Sequence, residues 1–418
     1  MLIKTILNKV EKFKSFVYGK ITIEETAGKE ALIVEVKPRK ETRGICSKCG
    51  KRCPTYDTQP ARLFEYVPLW GMQVYFTYAP RRTNCRKDGV LVELLPWSDG
   101  KEHMTKTYMV FLSRWAKRIS WKETAEVFRT SWDSIFRAVN YVVDYGLKHR
   151  NLDTIEQIGV DELQVFRGHK YLTLVYQIDK GRRRLLWSGP ERKVKTLLKF
   201  FREFGPERSS LLRHVCSDMW APYLKVIKKK APNALNILDR FHIMKKFNEA
   251  IDEVRREEVR ELRETGQEAV LVSGRWILLK RTKNLTDRQV VRLKELLKTN
   301  LTSIKAYLMR EDFQRFWIYH MPAWADKFLE DWANRTMHSN IEPMKKVAKM
   351  LRSHKDLILN WFRADGELSS GVVEGLNNKA KLTIRKAYGF RSVKHLQIAL
   401  YHTLGDLPEP ETAHRFCG

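Results

Sequence analysis

The sequence has 418 residues, of which 43% are hydrophobic and 12 are tryptophan, which excludes a disordered chain and predicts several domains with hydrophobic cores. Its 78 Lys and Arg against 49 Asp and Glu give a formal net charge of +29. This excess favours a polyanionic partner, either nucleic acid or an anionic membrane surface, over a basic protein without such a partner. No apolar run approaches the roughly 18 residues of a membrane span, and the N-terminal residues lack the apolar core of a signal peptide. We therefore expect a cytoplasmic protein with no membrane partner.

Residues 1–100 predict a small β domain that carries a metal-binding knuckle. The segments 21–24 and 31–36 alternate apolar and polar residues, which is typical of a β-hairpin. Four of the six cysteines follow between positions 46 and 85. In a reducing compartment, such clustering indicates a metal site rather than disulfides.

The knuckle begins with the run CSKCG, which places two thiolates at the spacing of half a zinc site, before a Gly that allows the tight turn. In the second half, Asp88 occupies the position where a knuckle normally has Cys or His. A carboxylate oxygen can bind zinc, so Asp88 is one candidate for the fourth ligand, and Cys53 and His103 are others. The predicted ligand set is Cys46, Cys49, Cys85 and Asp88. The alternative is a degenerate knuckle that folds on its strands without metal.

Residues 101–150 predict three helices. The first ends near Arg118. The second opens on a capping box formed by Ser120 and Glu123, and the third is expected to end at Gly146. A short helix, a tight turn and a longer helix are typical of a helix-turn-helix DNA-binding domain, although a role in packing alone is the alternative. The candidate DNA-contacting residues on the polar side are Arg137 and Asn140.

Three acids fall at strand positions in the next segment, where strands and helices alternate. The predicted strands are 158–166, 171–176, 183–187, 214–217 and 234–238. Asp161 lies within the first strand, and Asp218 and Asp239 directly follow the fourth and fifth. Strand ends at one edge of an α/β sheet are where ligands bind. Asp218 and Asp239 could instead cap the helices that follow them.

His242 lies three residues after Asp239, in the first turn of a predicted helix. Its imidazole would lie close to the strand ends, where it could donate to a phosphate or position a water molecule. The alternative is a hydrogen-bonded histidine with no catalytic role.

A third acid of the predicted site, Glu374, lies in a helix that Ser369 or Ser370 could cap. Two divalent ions about 4 Å apart, held by carboxylates, are a common device for phosphodiester chemistry, so that Asp161, Asp218 and Glu374 are candidate metal ligands. Spacings of four, three and four place Glu374 on one helix face with Asn378, Lys381 and Arg385. This face could follow a phosphate backbone, or it could be a solvated surface.

Between residues 266 and 365 the strand signals stop, and the periodicity predicts an all-α insertion. The predicted helices cover 290–297, 301–308, 313–319, 324–332 and 343–351. Five tryptophans are expected to give this insertion a core of its own, namely Trp276, Trp317, Trp324, Trp332 and Trp361. Because the insertion separates Glu374 from the strand acids, the catalytic core is predicted to be discontinuous in sequence.

Six runs of the sequence resemble transposases of the ISL-three group of bacterial insertion sequences: IGVDE, GHKYLTLVYQID, CSDMWAPYL, LDRFHIMKKFN, AIDEVRR and VVEGLNNKAKLTIRKAYGFR. The resemblance covers nearly the whole chain and implies an RNase H-like fold with a DDE triad. Asp161 matches the first acid, Asp218 the second and Glu374 the third. Asp239 and His242 match an acid-x-x-His signature that also occurs in Mutator-like transposases. Asp88 departs from the family, which usually has Cys or His at that position.

The resemblance further implies Mg²⁺ (or Mn²⁺), with two ions per active site, whereas Zn²⁺ in the knuckle is the expectation from its cysteines. The implied reaction is cleavage at the ends of an insertion sequence and joining of the freed 3′-OH to target DNA. The partners are then double-stranded DNA of the terminal inverted repeats and of the target, in the bacterial cytoplasm and nucleoid. Because two DNA ends are involved, we expect a homodimer or a larger assembly on DNA.

The predicted architecture is multi-domain α/β. A zinc-knuckle β domain (1–100) and a helix-turn-helix domain (101–150) precede an RNase H-like mixed-sheet core (151–265), which an α-helical insertion (266–365) interrupts and residues 366–418 complete. The predicted function is DNA transposase. The alternatives are an RNase H-like nuclease or resolvase without strand transfer, and a non-catalytic DNA-binding regulator that uses only the knuckle and the helix-turn-helix.

Overall fold

A computed structural model describes residues 2–26, 28–166, 170–264, 274–280, 284–299, 301–364, 371–387 and 389–411. The chain is a mixed α/β protein that divides into two compact units. Unit 1 comprises Met1–Arg150 and Lys381–Gly418, and unit 2 comprises Asn151–Ala380. Residues from 381 onwards therefore group with the N-terminal residues, whereas 366–418 were predicted to complete the catalytic core. Within the described ranges, no helix is long and apolar enough to cross a membrane.

Sixteen α-helices and fourteen strands are described. The helices are α1 Ile3–Val10, α2 Lys106–Arg118, α3 Trp121–Val127, α4 Trp132–His149, α5 Val194–Phe204, α6 Pro206–Ser210, α7 Ala221–Lys230, α8 Arg240–Glu264, α9 Arg275–Leu279, α10 Asp287–Leu296, α11 Thr302–Phe313, α12 Pro322–Met337, α13 Glu342–Ser353, α14 Lys355–Arg363, α15 Gly371–Lys386 and α16 Val393–Leu404. The strands are β1 Phe16–Thr26, β2 Lys29–Pro38, β3 Gly44–Ile45, β4 Arg52–Cys53, β5 Thr55–Thr58, β6 Arg62–Leu69, β7 Met72–Tyr78, β8 Arg81–Cys85, β9 Gly89–Val92, β10 Gln157–Phe166, β11 Lys170–Gln177, β12 Arg184–Pro190, β13 His214–Ser217 and β14 Leu235–Leu238.

Unit 1 contains a four-stranded sheet in the order β1-β2-β7-β6, whose first two strands form the predicted hairpin. Alternating residues of these strands bury one face around the aromatic side chains of Phe64, Phe76 and Trp97. A three-stranded sheet, β5-β8-β9, and the two-stranded β3-β4 carry the cysteines. The sheets thus place the first and second halves of the knuckle on separate short strands and their turns.

The three helices predicted between 101 and 150 are present as α2, α3 and α4. Ser120 and Glu123 form the predicted capping box at the start of α3. The prediction that Gly146 ends the third helix is wrong, because α4 continues to His149. A Cβ atom at Gly146 would lie 2.5 Å from Cβ of Leu407. Gly146 therefore allows the C-terminal segment to pack closely on α4.

Unit 2 is built on a five-stranded sheet in the order β12-β11-β10-β13-β14. The pairs β10–β11 and β11–β12 are antiparallel, whereas β10–β13 and β13–β14 are parallel. The five predicted strands are confirmed, with the fourth at its predicted bounds. On one face, Ile158 and Val160 pack with residues of α5 and α7 such as Phe200 and Tyr223. On the other face, α15 packs close to Gly159 because this residue has no side chain. A Cβ atom there would lie 2.5 Å from Val373 Cγ2.

The helical segment of unit 2 contributes most of a buried cluster that it shares with α8 and β14. Its cluster of buried side chains includes Leu238 at the end of β14 and Phe247 and Ile251 of α8. Asn360 of α14 also donates from Nδ2 to the backbone carbonyl of Asn236 in β14 at 2.8 Å. The segment therefore covers the β14 edge of the sheet, and its helices α9 and α14 were not predicted.

Only part of the predicted tryptophan core is buried. Trp317 and Trp332 are buried, and Trp361 is partly buried. Trp276 and Trp324 are instead 60% and 57% exposed. Each has a basic neighbour near its ring: the Arg275 guanidinium carbon lies 5.2 Å from the Trp276 ring centroid, and Lys327 Nζ lies 5.8 Å from that of Trp324. Cation–π contacts of this kind stabilise aromatic rings at the surface.

Candidate active site

Carboxylates converge at one edge of the unit 2 sheet because three of its strands run parallel there. Asp161 lies on β10, and Asp218 and Asp239 follow β13 and β14, the next two strands in the sheet order. Asp218 and Asp239 are buried, and Asp161 is partly buried. A cavity of about 380 Å³ opens beside them. Its lining includes Asp161, Glu162, Arg192, Asp218, His242 and Lys245.

His242 bridges two of these acids. Its Nε2 lies 3.6 Å from Asp161 Oδ1 and 3.9 Å from Asp239 Oδ2. Burial lowers the pKa of His242, but the hydrogen bond to Asp161 and the surrounding carboxylates outweigh burial and raise the pKa above its ordinary value. His242 therefore gains a share of the protonated form, which can donate to an anion.

The carboxyl group of Asp239 has a raised pKa and therefore binds a proton more readily than an ordinary aspartate does. Burial, together with the charges of Asp161 and Glu374, raises its pKa to about 6, while His242 and the Phe241 amide act in the opposite direction. Its Oδ1 accepts the Phe241 N–H at 2.7 Å at the start of α8, as the capping alternative predicted. Asp239 thus both caps α8 and contributes to the acidic cluster.

Asp218 likewise combines both predicted roles. Its Oδ1 accepts the Trp220 N–H at 2.9 Å beside the start of α7, as a capping residue does. Its Oδ2 accepts from Arg192 Nη2 at 2.6 Å. Capping therefore fixes the side chain, and Arg192 binds its second oxygen.

Arg192 is a residue of this site that sequence reasoning missed. Besides Asp218, its Nε lies 3.1 Å from Glu162 Oε1, and its guanidinium carbon lies 4.7 Å from the Trp220 ring centroid. Burial, with a contribution from the charge of Asp218, raises the pKa of Glu162 to about 8, and Arg192 opposes this rise. No periodicity marks Arg192, because it lies in the short connection between β12 and α5.

Asn377 of α15 is a second missed residue. It is buried, accepts the Tyr176 O–H at 2.8 Å through Oδ1, and donates from Nδ2 to Asp161 Oδ2. Asn378, which was predicted to lie on the functional face, is exposed. Asn377 shares the apolar side of α15 with Val373 and Ala380, at helical spacings of four and three. A polar residue on that apolar stripe was the available signal.

Glu374 occupies the first turn of α15, one turn before Asn377, and is exposed. Its charge contributes to raising the pKa of Asp239, so it acts on the same cluster. The carboxylate oxygens of Asp161, Asp218 and Glu374 do not all lie within 4.8 Å of one another in the described part of the chain. The predicted caps of this helix, Ser369 and Ser370, lie outside the described residues.

The knuckle in unit 1 brings together the four predicted ligands. Ligand atoms of Cys46, Cys49, Cys85 and Asp88 all lie within 4.8 Å of one another. Cys85 Sγ lies 3.5 Å from Asp88 Oδ2, and hydrogen bonds from the backbone amides of Asp88 and Lys87 lower the pKa of the Cys85 thiol. Three sulfurs and one carboxylate oxygen fit a tetrahedral zinc site. The other two candidates, Cys53 and His103, are not in this group.

The predicted DNA-contacting residues have different surroundings. Arg137 Nε lies 3.2 Å from Glu102 Oε2, and Asn140 donates to Asp144 Oδ2 at 2.7 Å. Lys381 and Arg385 are exposed on α15 and have no hydrogen bond or ion pair within the described ranges. The charge of Arg137 is therefore partly neutralised, whereas Lys381 and Arg385 are available to anions.

Adjacent strand ends that carry acids, with a helix that brings a further acid, are the arrangement expected of a protein of the DDE transposase class. The chain belongs to the ISL-three (ISL3) transposase family, whose profile, described as transposase, matches residues 158–400. This confirms the resemblance found in the sequence. The matched range contains the strand acids, His242 and Glu374.

Relatives match almost end to end. The chain is 27% identical over 398 residues to the transposase for insertion sequence element IS1001 of Bordetella parapertussis, covering 94% of this chain and 97% of the relative. It is 29% identical over 402 residues to the transposase for insertion sequence element IS1557 of Mycobacterium tuberculosis, covering 89% of this chain and 88% of the relative.

Proposed function

We propose that this chain is a DNA transposase that binds the ends of an insertion sequence and catalyses metal-dependent strand cleavage and strand transfer. The observation that carries the proposal is the position of Asp161 on β10 and of Asp218 directly after the adjacent parallel strand β13, with α15, which carries Glu374, packed against the same sheet. A sheet of three antiparallel strands extended by two parallel ones, with the acids at β10 and β13, supports an RNase H-like core.

In this proposal, Asp161, Asp218 and Glu374 hold Mg²⁺ or Mn²⁺, two ions per site. Carboxylate oxygens are the hard ligands these ions prefer, and the cavity beside the acids is open to substrate. The ions would neutralise charge at the attacking and leaving oxygens of the phosphodiester. Asn377 fixes one oxygen of Asp161, and His242 holds a proton between Asp161 and Asp239, from which it can donate to a phosphate.

The test is Mg²⁺-dependent cleavage of DNA that carries the element ends. We expect Asp161→Ala, Asp218→Ala and Glu374→Ala each to lower the rate by more than about a hundredfold, as loss of transition-state charge stabilisation does. Asp331→Asn, an exposed acid on α12, is the matched control and should cleave normally. Normal cleavage by any folded triad variant would remove that residue from the site.

Strand transfer separates the proposal from its alternatives. A transposase joins the cleaved 3′-OH to target DNA, whereas a nuclease or resolvase with the same acids releases cleaved ends only. A DNA-binding regulator leaves the DNA unaltered with Mg²⁺. Gel analysis of labelled element ends incubated with a target plasmid distinguishes the three, and joined products are expected.

For the DNA interface, we propose that Asn378, Lys381 and Arg385 contact phosphates. Arg137 and Asn140 of the predicted helix-turn-helix stay predicted contacts, since DNA would have to compete with Glu102 and Asp144 for them.

An assembly of at least two copies would act on the two element ends. Sedimentation of the protein with end DNA tests this, and a single copy per DNA end pair would contradict it.

We also propose that Cys46, Cys49, Cys85 and Asp88 bind zinc, on the strength of their mutual distances. Metal analysis of the purified protein should give one zinc per chain. Cys85→Ser should lose it, whereas Cys53→Ser should retain it, because Cys53 lies outside the ligand group. Absence of zinc from the unaltered protein would leave a knuckle held by its strands.

A further inference from the structure

Arg192 is held in place by the connection between β12 and α5. The amide of Glu191 donates to the Tyr171 carbonyl at 2.8 Å, and the Glu191 carbonyl accepts from Thr173 Oγ1 at 2.8 Å. Glu191 also has a φ of +68°, a conformation that residues other than glycine seldom adopt. Strain of this kind persists where surrounding contacts enforce it and is concentrated at functional sites. The connection therefore directs Arg192 at the acidic cluster.

The guanidinium lies against two acidic side chains, Glu162 and Asp218. The side chains of Glu162 and Asp218 are only 7% and 11% exposed, and Arg192 reaches both, at 3.1 Å and 2.6 Å. The contact with Asp218 is a charge-assisted hydrogen bond, which is strong in such partly dehydrated surroundings, whereas Glu162 is in close electrostatic contact with Arg192. Arg192 binds Oδ2 of Asp218, and Oδ1 accepts the Trp220 amide, so Oδ2 is the oxygen for which a cation would compete with Arg192.

We propose that Arg192 is a positioning residue that acts as a built-in counter-ion: it holds Asp218 and Glu162 in the absence of metal and leaves Asp218 when a divalent cation binds. This inference rests on the proposed role of Asp218 as a metal ligand. The guanidinium and a divalent ion compete for the same oxygen and repel each other at that distance. The Trp220 ring, 4.7 Å from the guanidinium carbon, offers the displaced side chain a place to remain.

Calorimetric titration of the full-length, DNA-free protein with Mg²⁺ tests the competition. Arg192→Gln should bind Mg²⁺ about tenfold more tightly than the unaltered protein, because a charge-assisted hydrogen bond no longer has to be broken. Arg192→Lys, which keeps the charge but cannot bridge both carboxylates, should be intermediate and serves if Arg192→Gln fails to fold. Unchanged or weaker binding by the folded variants overturns the inference.

Lys245→Gln is the matched control for charge alone. Lys245 lines the same cavity, is exposed, and contacts neither carboxylate. Removal of its charge should change the Mg²⁺ affinity by less than about threefold, since an exposed charge is screened by solvent. A rise equal to that of Arg192→Gln would mean that total charge, not exchange at Asp218, sets the affinity, and would overturn the inference.

Two further readouts separate this inference from the proposed function. The first is the fluorescence emission of Trp220, obtained as the difference between a protein with Trp220 and the same protein with Trp220→Phe. Mg²⁺ should change this emission in the unaltered protein but not in Arg192→Gln. An identical response in both proteins overturns the exchange. Asp218→Ala should abolish Mg²⁺ binding. Retained binding there contradicts the proposed metal site itself, whereas lost binding with no effect of Arg192→Gln contradicts only the exchange.

Discussion

Asn377 shows how one buried amide can organise Asp161, a proposed catalytic carboxylate. Its oxygen accepts from Tyr176 and its nitrogen donates to Asp161, so a single side chain connects α15, β11 and β10. The buried Tyr176 hydroxyl needs this partner, because a buried polar group without one is costly. The cost of burying Asn377 is thus offset by two bonds, one of which orients Asp161.

At this scale we predict the effect of Asn377→Leu, which keeps the approximate shape but removes both hydrogen bonds. It should lower the free energy of unfolding by about 1–3 kcal/mol, because it leaves buried polar groups unpaired. It should also slow cleavage, because Asp161 loses its orientation. Urea unfolding followed by circular dichroism measures the first effect, and the end-cleavage assay measures the second.

The adjacent Asn378→Leu is the control for stability alone, since Asn378 is exposed and a surface change usually alters stability by no more than about 0.5 kcal/mol. For cleavage the control is Asp331→Asn, because Asn378 is a proposed DNA contact. Adding Tyr176→Phe to Asn377→Leu should restore part of the stability, because the unpaired hydroxyl is removed as well. If Asn377→Leu unfolds like the unaltered protein, the bridge does not stabilise the fold.

Among the elements, α15 packs closely on β10 because Gly159 has no side chain. Gly159 faces this helix, and the methyl group of Val373 occupies the space that a side chain at position 159 would fill. This close contact brings Asn377 within reach of Asp161 and sets the position of the turn that carries Glu374. The register of α15 on the sheet therefore decides the geometry of the active site.

Gly159→Ala should push α15 away from the sheet. A Cβ at 2.5 Å from Val373 Cγ2 is a clash between two short side chains, and overpacking of this kind typically costs about 1–3 kcal/mol. We expect a lower melting temperature and slower cleavage. Adding Val373→Ala makes room for the new methyl group and should recover both properties in part. Failure of the double variant to recover, with a folded single variant, would contradict this packing argument.

For the molecule as a whole, we expect DNA affinity to depend less on the net charge of +29 than on the positions of basic side chains that have no acidic partner among the described residues. Many basic side chains are paired with acids, as Arg137 is with Glu102. Lys381 and Arg385 lie on the exposed side of α15, at a spacing of four residues. Free cations on one helix face can replace the counter-ions of a DNA backbone, and paired ones do so less well.

DNA binding should therefore depend on salt through α15 more than through α4. Neutralising Lys381 and Arg385 together to Gln should reduce the slope of log affinity against log salt by about 2, close to one for each phosphate that the protein no longer neutralises. Arg137→Gln should reduce it less, because Glu102 already neutralises part of its charge. Fluorescence anisotropy with labelled duplex DNA over a range of salt concentrations measures both; an equal reduction would place Arg137 on the phosphates too.

Local signals in the sequence predicted much of unit 2 and part of the knuckle. Strand periodicity identified β13 at its bounds, and the acids that follow β13 and β14 indicated the edge of the site. The CSKCG run and the later Cys85 and Asp88 indicated the ligand group that the fold brings together. These features depend on neighbours in sequence, which is why they can be read from it.

Tertiary packing alone decided the rest. Arg192 and Asn377 reach the acids only when a connection and a helix far apart in sequence meet the same sheet edge. The helical spacing marks Asn377 as a polar residue on an apolar stripe, but it does not show which acid this residue contacts. Burial also depends on partners: Trp276 and Trp324 are exposed, and the helical segment shares its core with α8 and β14. The sequence by itself determined the class of protein, through the six runs that resemble the family, and the strands of unit 2, because these follow from residue type and periodicity. The tertiary structure decided which side chains hold those acids, because that depends on contacts between residues far apart along the chain.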